Sequence, residues 1–154
     1  MGQQQLLLLV LGIVIVGLAV VVGIQAFGEN QKKANSDALV NDAIRIASDT
    51  QAWKLKPAAF GGGANVSGMT GLTLAQLGYE TDGTGANERY TNLNGGFQLE
   101  ASSSSAIITA QDSSSLSNFV KVGVFGTDPE CIATAIGTTE PSNPSNPNAS
   151  ECTL

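Results

Sequence analysis

The stretch from Leu6 to Phe27 constrains this chain more than any other. Between Leu6 and Ile24 no residue is charged and none carries a side-chain amide; leucine, valine, isoleucine, alanine and three glycines fill every position. An α-helix of about 20 such residues spans a hydrocarbon layer of about 30 Å. A helix that is apolar on every face must be buried on every face, in lipid or among other protein. A cleaved secretory signal is the rival explanation, and the flanks speak against it. Signal peptides begin with basic residues and carry a shorter apolar core, whereas Met1–Gln5 holds no lysine or arginine. The expectation is a retained segment, stored in a bilayer and able to bury itself later among copies of itself.

Three neutral amides, Gln3, Gln4 and Gln5, precede the run. They can donate and accept hydrogen bonds without carrying charge, so they can sit at a membrane surface or pair with one another inside an assembly. Gly12, Gly17 and Gly23 interrupt the run. Each costs about 1 kcal/mol of helix propensity relative to alanine. Glycine also permits close helix approach or local unwinding, and the plain alternative is that glycine is common in membrane helices.

Glu29 opens a different pattern. Leu39, Ala43, Ile46 or Ala47, Thr50 and Trp53 recur three or four apart, with Val40 and Ile44 widening the apolar face. Asn41, Asp42, Arg45, Ser48, Asp49 and Gln51 are expected on the other side. Leu39, Ala43, Ile46 and Trp53 are the residues expected to anchor a domain. No proline occurs before Pro57, which disfavours helical geometry at Lys56. The spacing predicts one helix from the N-terminus to about Lys56, at 1.5 Å per residue roughly 80 Å long. Three segments result: 1–28, an apolar helix; 29–56, its amphipathic continuation; and 57–154, a globular head.

The head reads as an antiparallel meander. Gly61, Gly62 and Gly63 break regularity, and a Gly-, Thr- and Asn-rich connection runs to about Gly96, with one helical turn possible at Leu72–Leu77 and a short strand at Arg89–Leu93. Strands are expected at Gly96–Ala101, which alternates apolar and polar, at Ala106–Ala110 after the serine run Ser102–Ser105, and at Phe119–Phe125, with a fourth possible at Cys131–Gly137. The fold class expected is therefore α+β, one long N-terminal helix packed on a small antiparallel sheet.

Composition narrows the function. Histidine is absent, which removes the commonest general base and transition-metal ligand. The two cysteines form no CxxC pair and no zinc spacing. The glycine triplet lacks the Lys and Ser or Thr of a phosphate loop. Asp128 and Glu130 could touch a cation but read more simply as a solvated turn. No enzyme constellation and no cofactor site is expected. From Pro57 onward nine acids face only Arg89 and Lys121, which argues against nucleic acid as a partner. Cys131 and Cys152, about 20 residues apart, read as a disulfide in an exported chain, worth about 3 kcal/mol by loop-closure entropy; the alternative is two free thiols. Asn65-Val66-Ser67 and Asn148-Ala149-Ser150 match the N-glycosylation pattern.

A neutral polar start, an apolar run, an amphipathic continuation, a Gly-rich loop, an antiparallel sheet and a C-terminal cysteine pair together resemble a type IV pilin. The resemblance covers the layout of the whole chain and is sequence-specific only from Met1 to about Pro57. It implies a major subunit of an extracellular filament, held in the inner membrane before assembly and polymerised through its apolar helix. Its implied partners are copies of itself, inner-membrane lipid, prepilin peptidase and the assembly machinery. Met1 would be the residue that the peptidase exposes and that is N-methylated. Gln5 falls where most members carry a glutamate thought to neutralise a neighbour's terminal amine; an amide can bond that amine but cannot cancel its charge. Val22 stands where members often carry a helix-melting proline, which leaves Gly12 and Gly17 as the candidates for unwinding. Cleavage after Gly2 would put Leu7 at the glutamate position, a poorer match, so processing before Met1 is expected. The alternatives are a pseudopilin or minor pilin of a secretion system, or a single-span anchored domain that never polymerises.

Overall fold

A computed structural model describes residues 2–83, 88–113 and 118–154. One helix, α1 (Gly2–Leu55), runs unbroken through 54 residues. Pro57 ends it: proline has no N–H to continue the ladder and turns the backbone extended, with ψ at 143°. A 3-10 turn follows at Ala58–Phe60, closed by Gly61 in the left-handed region at φ 78°. Beyond it the described residues make one six-stranded sheet in sequence order, every neighbour antiparallel. Its strands are β1 (Thr81–Asp82), β2 (Arg89–Thr91), β3 (Gly95–Ala101), β4 (Ala106–Asp112), β5 (Phe119–Val124) and β6 (Ile132–Gly137). The architecture is the expected α+β.

The chain divides into two compact units, one up to Ala34 and one spanning Asn35–Leu154. In the first, every described residue from Gly2 to Phe27 is exposed. In the second, α1 presents Leu39, Ala43, Ile46, Ala47, Thr50 and Trp53 as a buried stripe. Strand alternation supplies the opposing layer: Phe97 from β3, Ala106, Ile108 and Ala110 from β4, and Val120, Val122 and Val124 from β5. Met69, Leu72 and Leu74 complete this core from the loop before β1.

Several expectations need correction. Gln51, placed on the polar side, is buried, and Ile44, placed on the apolar face, is exposed. The helical turn expected at Leu72–Leu77 is displaced: Leu77 N donates to Leu74 O and Gly78 N to Ala75 O, closing overlapping turns over Leu74–Gly78. The Arg89–Leu93 strand stops at Thr91, because the Asn92 carboxamide oxygen accepts from Asn94 N and Gly95 N and turns the chain into β3. Leu93, at that tip, is 96% exposed. A 3-10 turn at Pro129–Cys131 takes the first residue of the expected fourth strand, so β6 begins at Ile132.

Candidate functional site

The first candidate surface is the apolar part of α1. Gln3, Gln4 and Gln5 lie exposed on the helix, followed by 16 large apolar side chains from Leu6 to Phe27 that are each at least half exposed. The segment is long and apolar enough to cross a membrane. α1 stays helical at Gly12 and Gly17, and a Cβ at either position would meet nothing within 4 Å. Nothing among the described residues therefore requires glycine there. Met1 lies outside the described residues.

The second candidate is the face of the sheet turned away from α1. Ile107, Gly123 and Ala133 are register partners across β4, β5 and β6, and Ile107 packs in a small separate cluster with Phe125, Cys131 and Cys152. The segment after β6 is laid over this face like a strap. Lys121 Nζ lies 2.9 Å from the Glu140 carboxylate and donates to Asn143 Oδ1 at 3.0 Å. A Cβ at Gly123 would come within 2.9 Å of Pro144 Cγ, so glycine is what lets Pro144 sit flush on β5. Cys131 and Cys152 are joined by a disulfide that fastens the far end, and Leu154 reaches the main core.

Side chains of α1 fix the loops of the second unit. Gln51 Nε2 donates to the carbonyls of Gly126 at 2.9 Å and Asp128 at 2.7 Å. Asp42 Oδ2 accepts from the side-chain amides of Asn92 at 2.9 Å and Asn94 at 2.7 Å. Asp49 accepts from the Tyr79 hydroxyl. Burial first, and then this bond to a carboxylate, push the Tyr79 phenol well above its ordinary value. Trp53 lies in the core with Gly63 packed directly on its ring; a Cβ at Gly63 would fall 2.2 Å from the indole. Its Nε1 meets no hydrogen-bond partner among the described residues.

Among the described residues no three His, Cys, Asp or Glu side chains gather as a metal set. Asp128, Glu130 and Glu151 rim a cleft of about 240 Å³ beside the disulfide, all three exposed to solvent. Of the two sequons, Asn65 is exposed and Asn148 is half-buried.

Sequence reasoning missed Gln51, the Lys121–Glu140 pair and the seat of Pro144 on Gly123. Only a lone buried-strand lysine opposite a late glutamate hinted at the pair, and nothing local marked the other two.

Comparison with known proteins returned no match: no family model, no curated protein sequence and no solved structure is similar to this chain. The long apolar N-terminal helix, antiparallel sheet and disulfide are compatible with a pilin fold.

Proposed function

We propose that this chain is the structural subunit of an extracellular type IV pilus-like filament. The observation that carries the reading is the uninterrupted exposure of apolar surface from Leu6 to Phe27 on a continuous helix. Water does not tolerate such a surface, and burying about 1,500 Å² of it would contribute tens of kcal/mol gross at about 25 cal/mol per Å². A bilayer provides the cover before assembly, and the same segment of neighbouring subunits provides it afterwards. Transfer between two apolar surroundings exposes little of the helix to water on the way. Gln3, Gln4 and Gln5 then lie in the filament core, where amide pairing between subunits satisfies them.

The sheet domain suits the outside of such a filament. It is acidic, rich in Ser, Thr and Asn, and closed by a disulfide, which belongs to oxidising compartments. On this reading the chain has no catalytic role, and its partners are copies of itself, membrane lipid, a prepilin peptidase acting before Met1, and an assembly machine.

Electron microscopy of material sheared from the surface of producing cells, with mass spectrometry of the same fraction, tests the reading. Filaments whose principal protein is this chain, beginning at Met1, are the expected result. Recovery of the chain only with the membrane, and never in filaments, would overturn it in favour of a non-polymerising anchored domain.

A further inference from the structure

The two sequons differ sharply in their surroundings, and we infer that Asn65 is an acceptor for N-linked glycan in the folded chain while Asn148 is not. The inference stands apart from the filament reading. N-glycosylation joins the asparagine amide nitrogen to a sugar's anomeric carbon, so it needs an amide and a nearby hydroxyl that an enzyme can engage from outside.

Asn65 offers both. Asn65 and Ser67 are exposed, and neither side chain takes a hydrogen bond among the described residues. The backbone on either side is held instead. Lys54 Nζ donates to the carbonyls of Gly63 at 3.2 Å and Val66 at 2.5 Å, one before and one after the asparagine. Val66 N closes a turn onto Gly63 O at 3.0 Å. Gly63 is packed on Trp53, and Val66 rests against the core. Beyond the sequon Gly68, at φ 62°, lies flush on the Ser103 backbone, and Met69 N donates to Ser102 O at 2.9 Å. The loop thus projects Ala64, Asn65 and Ser67 outward from fixed ends.

Asn148 is the reverse. Its side-chain nitrogen, the atom that would be glycosylated, donates to the Glu151 carboxylate. Its side-chain oxygen accepts from Ser150 Oγ at 2.9 Å, which engages the sequon hydroxyl as well. Its backbone nitrogen donates to Asn146 Oδ1 at 3.1 Å, and its carbonyl accepts from Cys152 N at 2.8 Å, inside the disulfide-closed loop. The two side-chain bonds, to Glu151 and from Ser150, must be surrendered before an enzyme can engage the amide and the hydroxyl.

The donor class is an oligosaccharide activated as a polyprenyl pyrophosphate. The Asn65 amide nitrogen forms a bond to the anomeric carbon, the carbon–oxygen bond to pyrophosphate breaks, the amide loses one proton, and polyprenyl pyrophosphate leaves. No electron is exchanged with any oxidant.

The test uses the oxidised full chain in detergent micelles, a purified oligosaccharyltransferase whose acceptor rule is Asn-x-Ser/Thr, a lipid-linked oligosaccharide, and glycopeptide mass spectrometry. Occupancy at Asn65 is expected to exceed that at Asn148 by about tenfold or more, given the hydrogen bonds that Asn148 must lose. Asn65→Gln and Ser67→Ala abolish the modification, Ser67→Thr retains it, and Asn148→Gln leaves it unchanged. The reduced, denatured chain serves as the second measurement, and both sites are expected to be modified comparably there. Equal occupancy in the folded chain overturns the inference. So does failure to modify Asn65 where a control sequon peptide is modified, or the same preference persisting in the denatured chain.

Discussion

The side-chain amide of Gln51 donates to the Asp128 carbonyl oxygen at 2.7 Å, joining positions 77 apart in the sequence. Together with its bond to Gly126 O it ties α1 to the turn that carries the disulfide's first cysteine. Gln51→Leu removes both bonds and leaves two carbonyls facing an apolar side chain. The expected loss is about 1–3 kcal/mol, the range for a buried polar group left unsatisfied. Denaturant unfolding of the full chain in micelles, followed by the fluorescence of Trp53, the sole tryptophan, measures it.

The two fastenings of the strap are unequal. Glu140 is 62% exposed, so solvent screens its pair with Lys121, and Glu140→Gln is expected to lower stability by less than about 1 kcal/mol. Replacing both Cys131 and Cys152 by serine is expected to remove about 3 kcal/mol. It should also open the segment after Gly137 to protease while the core shared by α1 and the sheet persists. Limited proteolysis with intact-mass readout separates the two variants.

Tyr79 gives the stability an alkaline limit. Burial, and next the hydrogen bond to Asp49, raise its folded value above the ordinary 10.0. Folding therefore favours the neutral phenol. The stabilisation is complete below about pH 10 and drains away as pH rises beyond that, when the unfolded chain releases the proton and the folded chain does not. Tyr79→Phe should flatten this part of the pH profile, and unfolding midpoints between pH 8 and about 12 check it.

What could be read from the sequence follows the reach of each interaction. Leu39, Ala43, Ile46, Ala47, Thr50 and Trp53 were legible because helical spacing alone puts them on one stripe. Ile44 and Gln51 were not. They lie seven positions apart on the same flank of that stripe, and their fates differ because the turn at Gly126–Asp128 covers one while the other remains exposed. β3 and β5 announced themselves by alternation, and β4 by a short apolar run after four serines. β1, with two residues, exists only by pairing with β2 and has no pattern of its own to show. The strap was invisible for the same reason: a proline-rich tail takes its course from Lys121 and Gly123, residues it meets only after folding. The apolar surface of α1 was fully legible, since no tertiary contact is needed to make Leu6–Phe27 greasy.

Gln5→Leu separates folding from assembly. Gln5 is exposed, so the sheet domain should unfold at an unchanged midpoint. In the proposed filament the substitution removes one member of an amide network while Gln3 and Gln4 still need partners. Filament yield is expected to fall at an equal membrane pool, by an amount set by about 1 kcal/mol per hydrogen bond lost. Sheared-filament yield normalised to membrane-bound chain gives the answer, and wild-type yield would remove Gln5 from the account.

The most direct measurement of the central claim is photo-crosslinking from a reactive side chain placed at Val14, midway along the exposed apolar run. In cells assembling filaments, the account predicts adducts between copies of the chain, mapping to the apolar segment of the neighbour, alongside lipid adducts from the unassembled pool. Lipid adducts alone, with no chain-to-chain product in any fraction, would contradict it.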